Sequence, residues 1–319
     1  MQQGNSGASP PLAERLPPHV FFVVSAVFHY LGPSFAVLLF AHIEPLGVAW
    51  LRIAAAALVF ALWRRPWRAL HGSDRRSLLL IVGLAASLAV MNACFYLAID
   101  LLPLATVAAI EFVAVIAVAL AGMRSPRNFA ALAVTLLGVY ALIGIAEGGD
   151  RLGLFFALLN AALFALYIVL GHAISRAGGA SGIDRLGAAM LLALVFAAPI
   201  GFHDAVPAFL SPALLLAGIG VGITSSVVPY VCDQLAMARL PRATFALMLA
   251  LLPATAAIIG AIVLRQIPSP VELAGIALVG FGIAIHKPAG ERIRPAAPPS
   301  RPASADAPSA LWRRAAPED

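Results

Sequence analysis

Glu111 stands midway along an apolar run, with Val107, Ala108, Ala114 and Val115 about one helical turn to either side and no basic residue in that run to pair with it. Ionisable residues at such depth in hydrocarbon are costly and are functional candidates by default. Two chemistries suit this one. It can bind a proton or a substrate ammonium group in a water-filled cavity, or it can stay protonated and make one structural hydrogen bond to a neighbouring helix. Asn92 and Tyr96 share a helix face at i, i+4, and Asn160 and Tyr167 offer similar groups about two turns apart. Either pair can line a cavity or bond between helices. His29 is central in the first apolar run, beside Tyr30, Gly32 and Pro33, a combination that predicts a locally broken helix. Arg52, the one cation inside a run, has three readings: snorkelling to the outer interface, bidentate capture of a carboxylate, or closure of an outer gate against Glu44 or Asp100.

Other chemistries are excluded by what the sequence lacks. It contains no P-loop, HExxH or GxSxG motif, which argues against an ATP-driven pump, a metalloprotease and a hydrolase. His29, His172 and Glu111 are too scattered for a catalytic or metal-binding constellation, so neither an enzyme nor a metal or other cofactor is expected. Cys94 and Cys232 both lie in apolar runs and read as small buried hydrophobes. Gly218-x-Gly220-x-Gly222 follows no strand and reads as a close-packing helix surface.

The elements that must position these groups are membrane helices. Of 319 residues 61% are apolar and 11% charged, against roughly 25% charge in an average soluble domain. So few charges cannot cover a water-facing surface of this size. A helix crossing the hydrocarbon needs about 20 apolar residues, and that ruler finds runs at 19–41, 46–63, 77–99, 103–122, 128–146, 152–173, 184–201, 211–235, 241–264 and 270–286. The first is longer than a signal-peptide core and reads as a retained span. Residues 1–18 and 288–319 are polar and rich in Pro, Gly, Ser or Ala, and read as disordered cytoplasmic tails. With the N-terminus cytoplasmic, every Lys and Arg except Arg52, Arg151 and Arg265 falls on the inner side. This positive-inside bias predicts ten spans with both termini cytoplasmic, and a net charge of +6 spent in this way does not point to nucleic acid.

Leu102-Pro103-Leu104-Ala105-Thr106-Val107 aligns with Leu240-Pro241-Arg242-Ala243-Thr244-Phe245, pairing span four with span nine. Repeats of five helices each, 19–146 and 152–286, must have opposite orientation, which is the inverted repeat of secondary transporters. In that register Glu111 meets Leu249, whose carbonyl loses its helical donor because Pro253 has no N–H. Two acceptors at one depth would suit a cation such as an α-ammonium group. Pro229 is a second helix-breaking position.

Through Glu111-Phe112, the two Leu-Pro segments above, Tyr96-Leu97-Ala98-Ile99 and Val228-Pro229-Tyr230, the chain resembles the EamA family of the drug/metabolite transporter superfamily, and within it the threonine/homoserine exporter branch. The resemblance runs from about His19 to His286 and implies an all-α polytopic membrane protein, with ten transmembrane helices in two inverted five-helix repeats. It implies a bacterial inner-membrane location and export of amino acids or related metabolites, coupled to protons. The chain departs from that branch at Val115, Leu252 and around Arg265-Gln266, so a second-half carboxylate is missing and Glu111 is the more isolated. The expected partners are a small-molecule substrate, protons and the lipid bilayer, with a homodimer left open. Export of drug-like or cationic compounds, a membrane-embedded enzyme and a passive channel are the alternatives.

Overall fold

Prolines open many of the helices, where a missing N–H costs nothing because the first turn has no intrahelical acceptor for it. The computed structural model describes residues 16–71, 73–122, 125–145, 151–175, 182–237 and 251–285, and every regular element among them is helical. The order is α1 (Pro18–Leu39), α2 (Pro45–Arg64), the short α3 (Trp67–His71), α4 (Arg75–Leu101), α5 (Leu104–Gly122), α6 (Pro126–Ile145) and α7 (Arg151–Ser175). There follow α8 (Gly182–Phe209), α9 (Pro212–Gly222), a π-helical turn (Ile223–Val227), α10 (Val228–Met237), α11 (Leu252–Leu264) and α12 (Pro270–Ile285). Stops are equally local. α2 and α11 end on Arg65 and Arg265 in the left-handed conformation, with φ of 51° and 57°. After Arg265 the Gln266 amide returns to the Gly260 carbonyl at 3.1 Å, and the Arg265 amide donates to the same carbonyl.

Among the described residues, six helical segments are long and apolar enough to cross a membrane: His19–Leu39, Pro45–Arg64, Arg75–Leu101, Arg151–Gly171, Ile183–Phe209 and Pro212–Asp233. Leu104–Val118, Pro126–Leu142, Leu252–Leu264 and Pro270–Ile285 are shorter apolar helices. Large apolar side chains face outward, among them Leu62, Leu216 and Ile262 at 77%, 69% and 72% exposure. Water would penalise such a surface and lipid would not.

The break expected at Tyr30–Pro33 does not occur. α1 runs on through Pro33 to Leu39, because the ring removes only the bond to the His29 carbonyl and neighbouring helices hold the rest. Gly32 has a packing role instead: a Cβ there would overlap the Ser225 side chain and come within 2.7 Å of the Ser225 backbone N, so α1 lies directly on the π-turn.

Helix pairing sets where the polar groups meet. α2 packs along α8 and α6 along α12, while α4 lies against α7 and α8. α1 contacts α9, the π-turn, α10 and α11, and α5 contacts α6, α7, α11 and α12. α2 and α8 approach almost backbone to backbone through Gly47 and Gly201, the small-residue contact that substitutes in lipid for a hydrophobic driving force. α5 is the innermost element at its start, with every residue from Leu104 to Phe112 buried. That burial carries Glu111 into the interior.

Candidate functional site

Glu111 is 7% exposed and Asn160, on α7, is fully buried. Asn160 Nδ2 donates to Glu111 Oε1 at 3.2 Å, which leaves Asn160 Oδ1 without a hydrogen-bond partner among the described residues. The two side chains line an internal cavity of about 30 Å³, together with His29 and Pro33 of α1, Arg52 of α2, Asn92 of α4 and Tyr230 of α10. A space of that size admits one or two water molecules. An amino acid requires it to widen.

Arg52 also lines the cavity, 6% exposed. Its Nε donates to Ser226 Oγ at 2.9 Å and its Nη2 to the Ser225 carbonyl at 3.0 Å. Its guanidinium lies 5.6 Å from the centre of the Tyr96 ring. The π-turn explains the second bond. Ser225 would receive its α-helical hydrogen bond from residue 229, which is a proline without an N–H. The helix answers by widening to the i→i+5 register, with Val228 N donating to the Ile223 carbonyl. Arg52 supplies a donor to the carbonyl that Pro229 leaves without its α-helical partner.

The cavity lining therefore holds acceptors, the Glu111 carboxylate and Asn160 Oδ1, together with a guanidinium. Among the described residues Arg52 makes no ion pair; the pair present is Arg64–Asp184, at 2.7 Å.

Residues 151–286 match the family model described as EamA-like transporter family. The threonine/homoserine exporter RhtA of Escherichia coli (strain K12) is 32% identical over 265 residues, covering 82% of this chain and 88% of that protein. RhtA of Salmonella typhimurium (strain LT2) is 32% identical over 251 residues, covering 78% of this chain and 83% of the relative. The chain belongs to the EamA-like transporter family. A solved crystal structure shares the fold at a TM-score of 0.53 and 16% identity, over 84% of this chain and 96% of that one. The protein is thus a membrane transporter of small metabolites and not an enzyme.

The transporter brings together Glu111, Asn160, Asn92, His29 and Arg52 from five helices. Of the two readings for Asn92 the structure favours the cavity wall: its Nδ2 donates to the Leu88 carbonyl of its own helix at 2.8 Å. Tyr96 is fully buried beneath Arg52 and does not reach the cavity wall. Tyr167 also stays out, stacked on Phe164 with ring centroids 5.8 Å apart. The snorkelling and gating readings of Arg52 are both corrected. It is buried and bonds Ser225 and Ser226, because the π-turn packed on α2 brings a carbonyl and a hydroxyl within reach of the guanidinium. Pro229 distorts its helix without breaking it. Pro253 sits in the first turn of α11, where proline is at home, and Leu249 lies outside the described residues. Gly218 and Gly222 do pack closely, a Cβ at Gly218 coming within 2.8 Å of Leu51 and one at Gly222 within 2.8 Å of the Arg52 carbonyl; Gly220 meets nothing within 4 Å. Ser225, Ser226 and Tyr230 were not anticipated. The signal available for Ser225 was its position four residues before Pro229.

Proposed function

We propose that the chain is a secondary active exporter of small amino acids such as threonine and homoserine, working by alternating access and coupled to protons through Glu111. The named function of the RhtA relatives supports the substrate class. The single observation that carries the site is the buried Glu111–Asn160 pair on an internal cavity. A carboxylate there can exchange a proton for a substrate ammonium, with Asn160 Oδ1 as a second acceptor. Coupling arises when the two occupants favour opposite open states. His29, Asn92 and Tyr230 add polar groups to the wall, with Tyr96 and Tyr167 as outlying members of the binding region.

The architecture we propose is ten membrane helices in two inverted repeats, 19–146 and 152–286, with 1–18 and 288–319 as tails and both termini cytoplasmic in the inner membrane. The packing supports it. Pair α1 with α7, α2 with α8, α4 with α9–α10, α5 with α11 and α6 with α12. Then α4 on α7 has its counterpart in α10 on α1, α5 on α7 in α11 on α1, and α2 on α4 in α8 on α9. The α2–α8 and α6–α12 contacts map onto themselves. Exchange of two such halves yields a second packing open to the other side.

The test is efflux from proteoliposomes with an amino-acid panel, with and without an imposed pH gradient. Threonine or homoserine should move against its gradient only when the pH gradient is present. Glu111→Gln, which keeps an acceptor for Asn160, should abolish that response while the protein still inserts and elutes as the wild type does. Gradient-driven transport by this variant would remove Glu111 from the mechanism.

A further inference from the structure

We infer that Arg52 is the carboxylate receptor of the cavity and also the cap of the π-turn, so that a bound substrate's carboxylate draws it off Ser225 and Ser226 and loosens the joint between α9 and α10. The inference rests on the amino-acid reading above and adds the residue that reads the carboxylate and the element that responds.

Four observations converge on it. Arg52 is buried beside the same cavity as Glu111, so the lining holds both a cation and a carboxyl group, the complement of a zwitterion. It has no carboxylate partner among the described residues, and a guanidinium has five N–H donors in a fork that matches a carboxylate. Two of its nitrogens are engaged, one by a neutral hydroxyl and one by a neutral carbonyl. Bonds to a charged acceptor are roughly twice as strong as those between neutral groups, so a carboxylate outcompetes both. Finally, the cavity of about 30 Å³ must enlarge to hold an amino acid, and the Ser226 hydroxyl and Ser225 carbonyl that accept from Arg52 both belong to the one π-turn of the described residues.

The turn is built to register that shift. Gly32 of α1 presses on Ser225 from one side, and Gly222 lies against Ala55 and the Arg52 backbone on the other. Pro229 denies Ser225 its α-helical i+4 donor, so when Arg52 leaves, that carbonyl loses the bond that replaced it. An uncapped buried carbonyl favours rearrangement of the turn, and α10, which packs on α1, moves with it. A substrate amine lacking a carboxylate would fill the Glu111 end and leave the turn capped.

The test uses the purified full-length chain in proteoliposomes, with radiolabelled threonine as the transported probe and unlabelled threonine or 1-amino-2-propanol as competitor. The second compound is threonine without its carboxylate. In the wild type it should compete at least about tenfold more weakly, the loss expected for one charge-assisted pair. Arg52→Gln should raise KM for threonine by about tenfold or more. Ser226→Ala removes a storage bond and should lower KM by about two- to tenfold. Pro229→Ala returns an N–H to Ser225, frees Arg52, and should lower KM while also lowering the maximal rate, because loading no longer uncaps the turn. If Arg52→Gln fails to fold, the serine and proline variants decide, since a purely structural role for Arg52 leaves their KM at or above the wild-type value. Wild-type transport of threonine with equal inhibition by the amine, or unchanged KM in Ser226→Ala and Pro229→Ala, overturns the inference and leaves the amino-acid reading standing. A wild type that carries neither threonine nor homoserine overturns both.

Discussion

Replacing Glu111 and Asn160 by leucine, singly and together, separates what their hydrogen bond does for the fold from what it does for transport. The bond joins α5 to α7 across 3.2 Å, between side chains 7% and 0% exposed. Hydrogen bonds between membrane helices are worth about 0.6 kcal/mol on average and about 1.7 kcal/mol at most, because the unfolded state in the membrane also finds partners. A buried pair with a carboxylate acceptor belongs at the upper end, so we expect a coupling of about 1.5 kcal/mol. Glu111→Leu strands the Asn160 amide, and Asn160→Leu strands a carboxylate oxygen, each at about 1–3 kcal/mol. Replacing both removes the donor and the acceptor together, which can be nearly neutral. The added bulk of leucine is met in part by the adjoining cavity. Reversible unfolding in mixed micelles, followed by tryptophan fluorescence, measures all three variants. The double variant should be less destabilised than the sum of the singles, while all three are inactive in efflux. Single costs that add within about 0.5 kcal/mol mean that the pair is not coupled in the folded protein, and the site as described is then wrong.

Gly32→Ala places a methyl against the backbone of the π-turn, and overpacking of this kind should cost about 1–3 kcal/mol in unfolding free energy, with a matching loss of transport; wild-type values for both would mean that α1 and the turn are not in contact. Ser269 and Glu272 form a reciprocal cap at the start of α12, Ser269 N donating to Glu272 Oε2 at 2.7 Å and Glu272 N to Ser269 Oγ at 3.3 Å. Ser269→Ala should lower stability by about 1 kcal/mol and leave KM for threonine unchanged, since neither cap residue lines the Glu111 cavity; a changed KM would tie that end of α12 to the binding site.

Glu111 was legible because nothing along its own run could neutralise it, a judgement that needs only local sequence. Its partner was not, since Asn160 lies 49 residues away and every polar residue in an apolar helix has a similar claim on such a role. Pro229 was legible as a perturbation, and the carbonyl it deprives can be named by counting back four residues. That the helix would widen into a π-turn, and that an arginine from α2 would cap it, depended on α2 lying alongside. The break foreseen at Pro33 failed for the same reason in reverse: neighbours around α1 stabilised a helix that local rules disfavour.

Composition and hydropathy by themselves determined the solvent, the helical class, the placing of most helices and the cost of a carboxylate at position 111, because these depend on short-range backbone chemistry and on transfer from water to lipid. Only the tertiary structure decided which faces meet. These helices are apolar nearly all round, so no polar stripe marks an inward side. Rotation and crossing are set instead by the steric fit of small residues such as Gly32, Gly47 and Gly222 against distant backbones, and that fit brings Arg52, Glu111 and Asn160 around one cavity.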